Sequence, residues 1–106
     1  MRKPRNIGTA GFRLSGIEEL ILDLLTKART REMYGLELVE ASGAALKRGT
    51  IYVTLQRMDE KGLVESRELA KSTEYVGIPR RAYRATTRGE RALKAATVIR
   101  RIMAGG

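Results

Sequence analysis

Apolar side chains recur at three- and four-residue intervals in four stretches of this chain, and each stretch predicts a helix. Ile17, Leu20, Ile21, Leu24 and Leu25 form the first stripe, over residues 15–26. The sequence Ser15-Gly-Ile-Glu18 opens it with a capping box, in which the Ser hydroxyl accepts from an orphan amide and the Glu reaches back. Residues 27–31 are a polar connector. Residues 32–41 predict a second helix with Leu36 and Val39 turned inward, ended by a Ser42-Gly-Ala turn. Residues 48–61 predict a third, with Ile51, Leu55 and Met58 on one stripe and Gly62 free to take the positive φ of a helix end.

The period then changes. Residues 63–68 and 82–86 suit two short strands, each half covered, joined by a Lys/Ser/Thr/Gly/Pro-rich loop over residues 70–81. Thr87-Arg-Gly-Glu90 repeats the capping-box pattern and predicts a last helix over residues 88–103. The first fourteen residues, with Pro4, Gly8 and Gly11, have little periodicity and predict a mobile arm. The fold class is therefore mainly α with a small β-hairpin, in the order ααα-β-β-α. That order is the layout of a winged helix-turn-helix. Residues 1–14 form the arm, 15–86 the winged-helix domain, and 87–106 a terminal helix and tail.

Composition narrows the function. The 106 residues suffice for one modest core, and 42% hydrophobic with 31% charged residues is an ordinary globular balance. There is no Cys and no His, which removes the disulfide framework, the thiolate metal site and the commonest general base. Glu18/Glu19 and Asp59/Glu60 are neighbours on helices and diverge, so neither pair makes a two-carboxylate site. No phosphate loop or nucleophile set is present, so an enzyme is not expected, nor a cofactor or metal. No apolar run is long enough to span a membrane, and no secretory segment opens the chain; a cytoplasmic setting fits. The net charge is +9, with +4 on residues 1–14 and +5 on residues 82–106. A basic excess of this size points to a polyanionic partner, and double-stranded DNA fits the layout.

On an ideal wheel with Ile51 at zero, Gly49, Val53, Gln56, Arg57 and Glu60 fall on the outward arc of the third helix, at about 140–240°. Arg can pair with guanine O6 and N7, and Gln with adenine N6 and N7, so Gln56 and Arg57 are the candidate base readers. Thr50 and Tyr52 sit near the helix N-terminus and flank, where hydroxyls and the helix dipole meet phosphate, Arg48 and Val53 are further candidate DNA contacts, and Lys61 flanks the same face. Arg80 and Arg81 follow Pro79 on the return of the hairpin, and with Lys71 they make a basic wing expected to grip the backbone. The tyrosines Tyr34, Tyr52 and Tyr83 suit amphipathic packing. In the last helix, Leu93, Ala96, Ile99 and Met103 form a stripe, with Ala92, Ala95 and Ile102 beside it. So much apolar surface near the terminus predicts pairing with a second copy.

Three motifs together resemble the PadR family of bacterial transcriptional regulators. They are Tyr34-Gly-Leu-Glu-Leu, then Gly49-Thr-Ile-Tyr52 continuing through Leu55-Gln-Arg-Met-Asp-Glu-Lys-Gly-Leu-Val64, and Gly77-Ile-Pro-Arg-Arg-Ala-Tyr83-Arg-Ala-Thr86 followed by Gly89. The resemblance spans residues 15–103. It implies a winged-helix homodimer, of the short single-domain type, that represses transcription at a palindromic operator. It also gives Tyr52 a contact role at DNA. Two departures matter. Val53 stands where the family usually has Pro. Some short members hold aromatic drugs with Trp between their dimer helices; this chain has no Trp and one Phe, so that property does not carry over and any small-molecule effector is unknown. Two other readings of the charge stay open. A basic RNA- or ribosome-associated protein leaves the hairpin unexplained. A winged-helix protein-interaction module that has lost DNA contact draws support from Val53 and from Glu60 on the outer face.

Overall fold

The computed structural model describes residues 13–68 and 80–105. Helix α1 is Gly16–Lys27, and its capping box forms as expected: Glu18 N–H donates to Ser15 Oγ at 3.1 Å and Ser15 N–H to Glu18 Oε1 at 2.9 Å. The chain reverses through Arg31, at φ 63°, into a two-residue strand β1, Met33–Tyr34. Helix α2 is Gly35–Ala41, α3 is Arg48–Glu60, the strands β2 and β3 are Val64–Glu68 and Arg81–Ala85, and α4 is Thr87–Gly105. The sheet is antiparallel in the order β1-β3-β2, with Met33 opposite Tyr83 and Val64 opposite Ala85. This is the expected winged helix-turn-helix with one strand more than the hairpin.

Three expectations are corrected. The second helix does not begin at residue 32, because residues 33–34 are drawn into β-pairing with β3. Val39 packs against the core as expected, but the fully buried residue of this helix is Leu38, and Leu36 is 43% exposed. Gly35 is buried beneath the Tyr52 ring, and position 38 lies one turn on along that same side. The cap of α4 is Thr86, not Thr87: its hydroxyl donates to Gly62 O at 2.6 Å and accepts from Gly89 N–H at 3.0 Å. Strand β3 therefore ends at Ala85, and Glu90 turns to Arg31 at 3.4 Å instead of closing a capping box.

The core is one cluster of Ile21, Leu22, Leu25, Leu38, Leu46, Ile51, Leu55, Met58, Leu63, Val64 and Tyr83. The stripe Ile51, Leu55, Met58 is buried as the spacing predicts, so one side of α3 is held and the other is free to face outward. The end of α3 is a Schellman turn. Gly62 has φ +79°, its N–H donates to Asp59 O at 2.9 Å, and Leu63 N–H donates to Met58 O at 2.9 Å. That turn is pinned to α4: Arg88 reaches Lys61 O at 3.4 Å, and Gly89 sits directly on the Leu63 carbonyl.

Candidate nucleic-acid interface

With Ile51, Leu55 and Met58 buried, α3 presents Gly49, Val53, Gln56 and Glu60 to the outside, and Arg48, Thr50 and Arg57 are also exposed. Tyr52 is 49% exposed. Its ring packs closely against Gly35, where an added Cβ would stand 2.6 Å from Tyr52 Cε1. Glycine at 35 thus makes room for the ring, which stays about half exposed. The Tyr34-Gly motif and the Ile-Tyr52 motif, far apart in sequence, form one contact. Tyr34 N–H donates to Glu37 Oε1 at 2.8 Å, which fixes the start of α2 beside it.

Arg57 has a different setting from Gln56. It lines a groove of about 660 Å³ between α3 and the start of α1, shared with Arg13, Lys47, Thr50, Thr54 and Lys61. Lys61 Nζ reaches the buried Glu18 carboxylate at 2.5 Å. Sequence reasoning placed Lys61 at the flank but left Arg13, Lys47 and Thr54 out of the site. An ideal wheel shows which residues share an arc of one helix, not which other element comes alongside.

The wing is knitted by charge. Arg67 on β2 forks onto Glu32, just before β1, at 2.7 and 3.0 Å. Those hydrogen bonds hold Glu32 below the usual carboxylate range and raise Arg67 in turn. Arg84 lies 3.8 Å from Glu65. Arg80 and Arg81 part company: Arg80 stacks over the Tyr34 ring at 4.4 Å, while Arg81 donates to Ser66 Oγ at 3.0 Å and lies 3.8 Å from Glu68. Ser66 on β2 lies opposite Tyr83 on β3, and Tyr83 belongs to the core cluster that includes Ile51, Leu55 and Met58 of α3. Burial pushes the Tyr83 hydroxyl up from its ordinary pKa; Arg81 pulls it the other way, and Tyr52 and Asp59 add to the rise. Lys71, Pro79 and the loop between the strands lie outside the described residues.

The terminal stripe divides in two. Ala92 and Leu93 pack on the chain's own core, and Ala96 is half-buried. Beyond them Val98, Ile99, Ile102 and Met103 are 45%, 58%, 66% and 76% exposed. Arg100 pairs with Glu19 and ties this end of α4 to α1. Among the described residues no helix is long and apolar enough to cross a membrane, and no group of three or more side chains could hold a metal.

Comparison with known proteins gives this geometry a family. The model of the transcriptional regulator PadR-like family matches residues 21–95, well over half of the chain. The chain belongs to the PadR-like family. That family is one of transcriptional regulators and not of enzymes. A PadR family transcriptional regulator from Eggerthella lenta DSM 2243 is 25% identical, with a TM-score of 0.70, covering 85% of this chain and 76% of that one. A PadR-like transcriptional regulator from Bacillus cereus strain ATCC 14579 is also 25% identical, with a TM-score of 0.61 and 84% of each chain covered. The Bacillus subtilis PadR, solved in complex with operator DNA, shares the fold at 22% identity and a TM-score of 0.63, over 76% of this chain and 45% of its own. No curated protein matches.

Proposed function

We propose that this PadR-like chain is a homodimeric, sequence-specific repressor that lays α3 in the major groove of a palindromic operator. The observation that carries the reading is the outer face of α3: Gly49, Val53 and Gln56 are exposed beside a Tyr52 seated on Gly35, and none of them has a task in the core. A face of small and amide side chains can approach base edges closely, and Gln56 can pair with adenine N6 and N7. Arg48 and Thr50 at the helix start, and Arg81 with Arg80 and Lys71 on the wing, are the proposed backbone contacts. Val98, Ile99, Ile102 and Met103, with Ala96 at their edge, are the proposed dimer surface; Leu93 supports it from within its own domain. The relative from Bacillus subtilis with operator DNA supports the DNA partner. A cytoplasmic location and the absence of a cofactor go with this reading.

Gln56→Ala tests it. The variant is expected to lose about 1–3 kcal/mol on the preferred duplex and little on a random duplex. Titrating both duplexes with both proteins decides the matter, and equal losses on the two would remove α3 from base reading.

A further inference from the structure

Residues 50, 54, 57 and 61 follow one another at four-, three- and four-residue steps, so Thr50, Thr54, Arg57 and Lys61 form a straight row along one flank of α3. The start of α1 comes alongside this row, and Arg13 and Lys47 close the groove. We infer that this groove is a phosphodiester channel, in which Arg13, Lys47 and Arg57 hold one DNA strand's backbone while the neighbouring strip of α3 reads bases. The inference rests on the proposed placement of α3 against DNA, and it moves Arg57 from base reading to backbone grip.

Three observations carry it. First, the groove's charge is not neutralised from within. Its one carboxylate, Glu18, is 6% exposed and already held by Lys61 and by Ser15 N–H. Arg13, Lys47 and Arg57 form no ion pair among the described residues. Second, the wing differs in just this respect: Arg67, Arg81 and Arg84 each lie against a glutamate. Among the described residues, the groove's Arg13, Lys47 and Arg57 are therefore without a carboxylate partner, whereas these three arginines of the strands each have one. Third, the row sets the hydroxyls of Thr50 and Thr54 beside cations, with Lys47 before them and Arg57 after, and these are side-chain types that bond phosphate oxygens without reading sequence. Cations strung along a helix, and not converging on a point, match an extended polyanion better than a small anion.

The test is the salt dependence of binding by the double variant Lys47→Gln, Arg57→Gln. Both side chains are exposed, so the fold is expected to melt as the parent does. Each lost phosphate contact lowers the slope of log affinity against log salt by about 0.9, so the double variant should lose about 2. The loss should be the same on the preferred and the random duplex, leaving their affinity ratio unchanged. An unchanged slope overturns the channel, and so does a loss confined to the preferred duplex, which returns Arg57 to base reading. Inorganic pyrophosphate that raises the parent's melting temperature but not the variant's, with the DNA slope unchanged, makes the groove a small-anion site and overturns it too. A parent chain that binds neither duplex is a separate result: it defeats the DNA-binding reading itself.

Discussion

Gly89→Ala should cost about 3 kcal/mol, the upper part of the overpacking range, and lower the thermal midpoint by about 10 °C or more. An added Cβ at Gly89 would stand 2.1 Å from the Leu63 carbonyl oxygen, and only 3.0 Å from Leu22 Cδ2. The oxygen cannot swing away as a side chain would. It is backbone, it accepts from Thr86 N–H at 3.0 Å, and the Schellman turn of α3 ends at that residue. Relief would need α4 to lift from the end of α3, breaking the Thr86 bridge to Gly62. Gly16→Ala is the control: nothing lies within 4 Å of its would-be Cβ, and the helix gains up to about 1 kcal/mol of propensity. Melts followed by circular dichroism compare the two. A Gly89→Ala chain as stable as the parent would mean that α4 is not seated on Leu63.

The pair Ile99→Glu, Met103→Glu should weaken the proposed dimer by about 3 kcal/mol, or roughly a hundredfold in its dissociation constant, since burying each such side chain is worth about 1.5–3 kcal/mol. Both residues stand clear of the chain's own core, at 58% and 76% exposure, so the monomer should keep its fold and its melt. Sedimentation equilibrium at micromolar concentration reads the shift. A parent chain already monomeric there, or a variant still dimeric, sinks the assignment of this surface. Affinity for a two-fold operator should fall with the dimer. Thr86, Arg88 and Gly89 lock the first turn of α4 to the end of α3, so where two copies of α4 meet sets how far apart two copies of α3 stand.

Much of this was legible in the sequence because it is written locally. The Ser15 capping box, the Ile51–Leu55–Met58 stripe and the left-handed Gly62 depend on a few neighbours in the chain, and all three form. Strand β1 was not legible. Two residues have no period, and Met33 and Tyr34 become a strand only because β3 offers an edge fifty residues later. Thr87 and Thr86 look alike as caps, and the choice is made by the Gly62 carbonyl, which a local pattern does not contain. The outward arc of α3 was right in its membership, since Gly49, Val53, Gln56, Arg57 and Glu60 are all exposed. The separation of Arg57, which joins a basic groove, from Gly49, Val53, Gln56 and Glu60 depends on α1 lying beside one flank. The terminal stripe read as a single surface, yet Leu93 is taken by the chain's own core and Val98 joins Ile99, Ile102 and Met103 outside.

The most direct test of the central claim is selection of bound duplexes from a random pool by the full chain. A dimer presenting two copies of α3 predicts one enriched, two-fold symmetric sequence with half-sites about 10 bp apart, centre to centre, or a multiple of that turn. A pool that stays random after repeated rounds, or that yields a short asymmetric site, contradicts it.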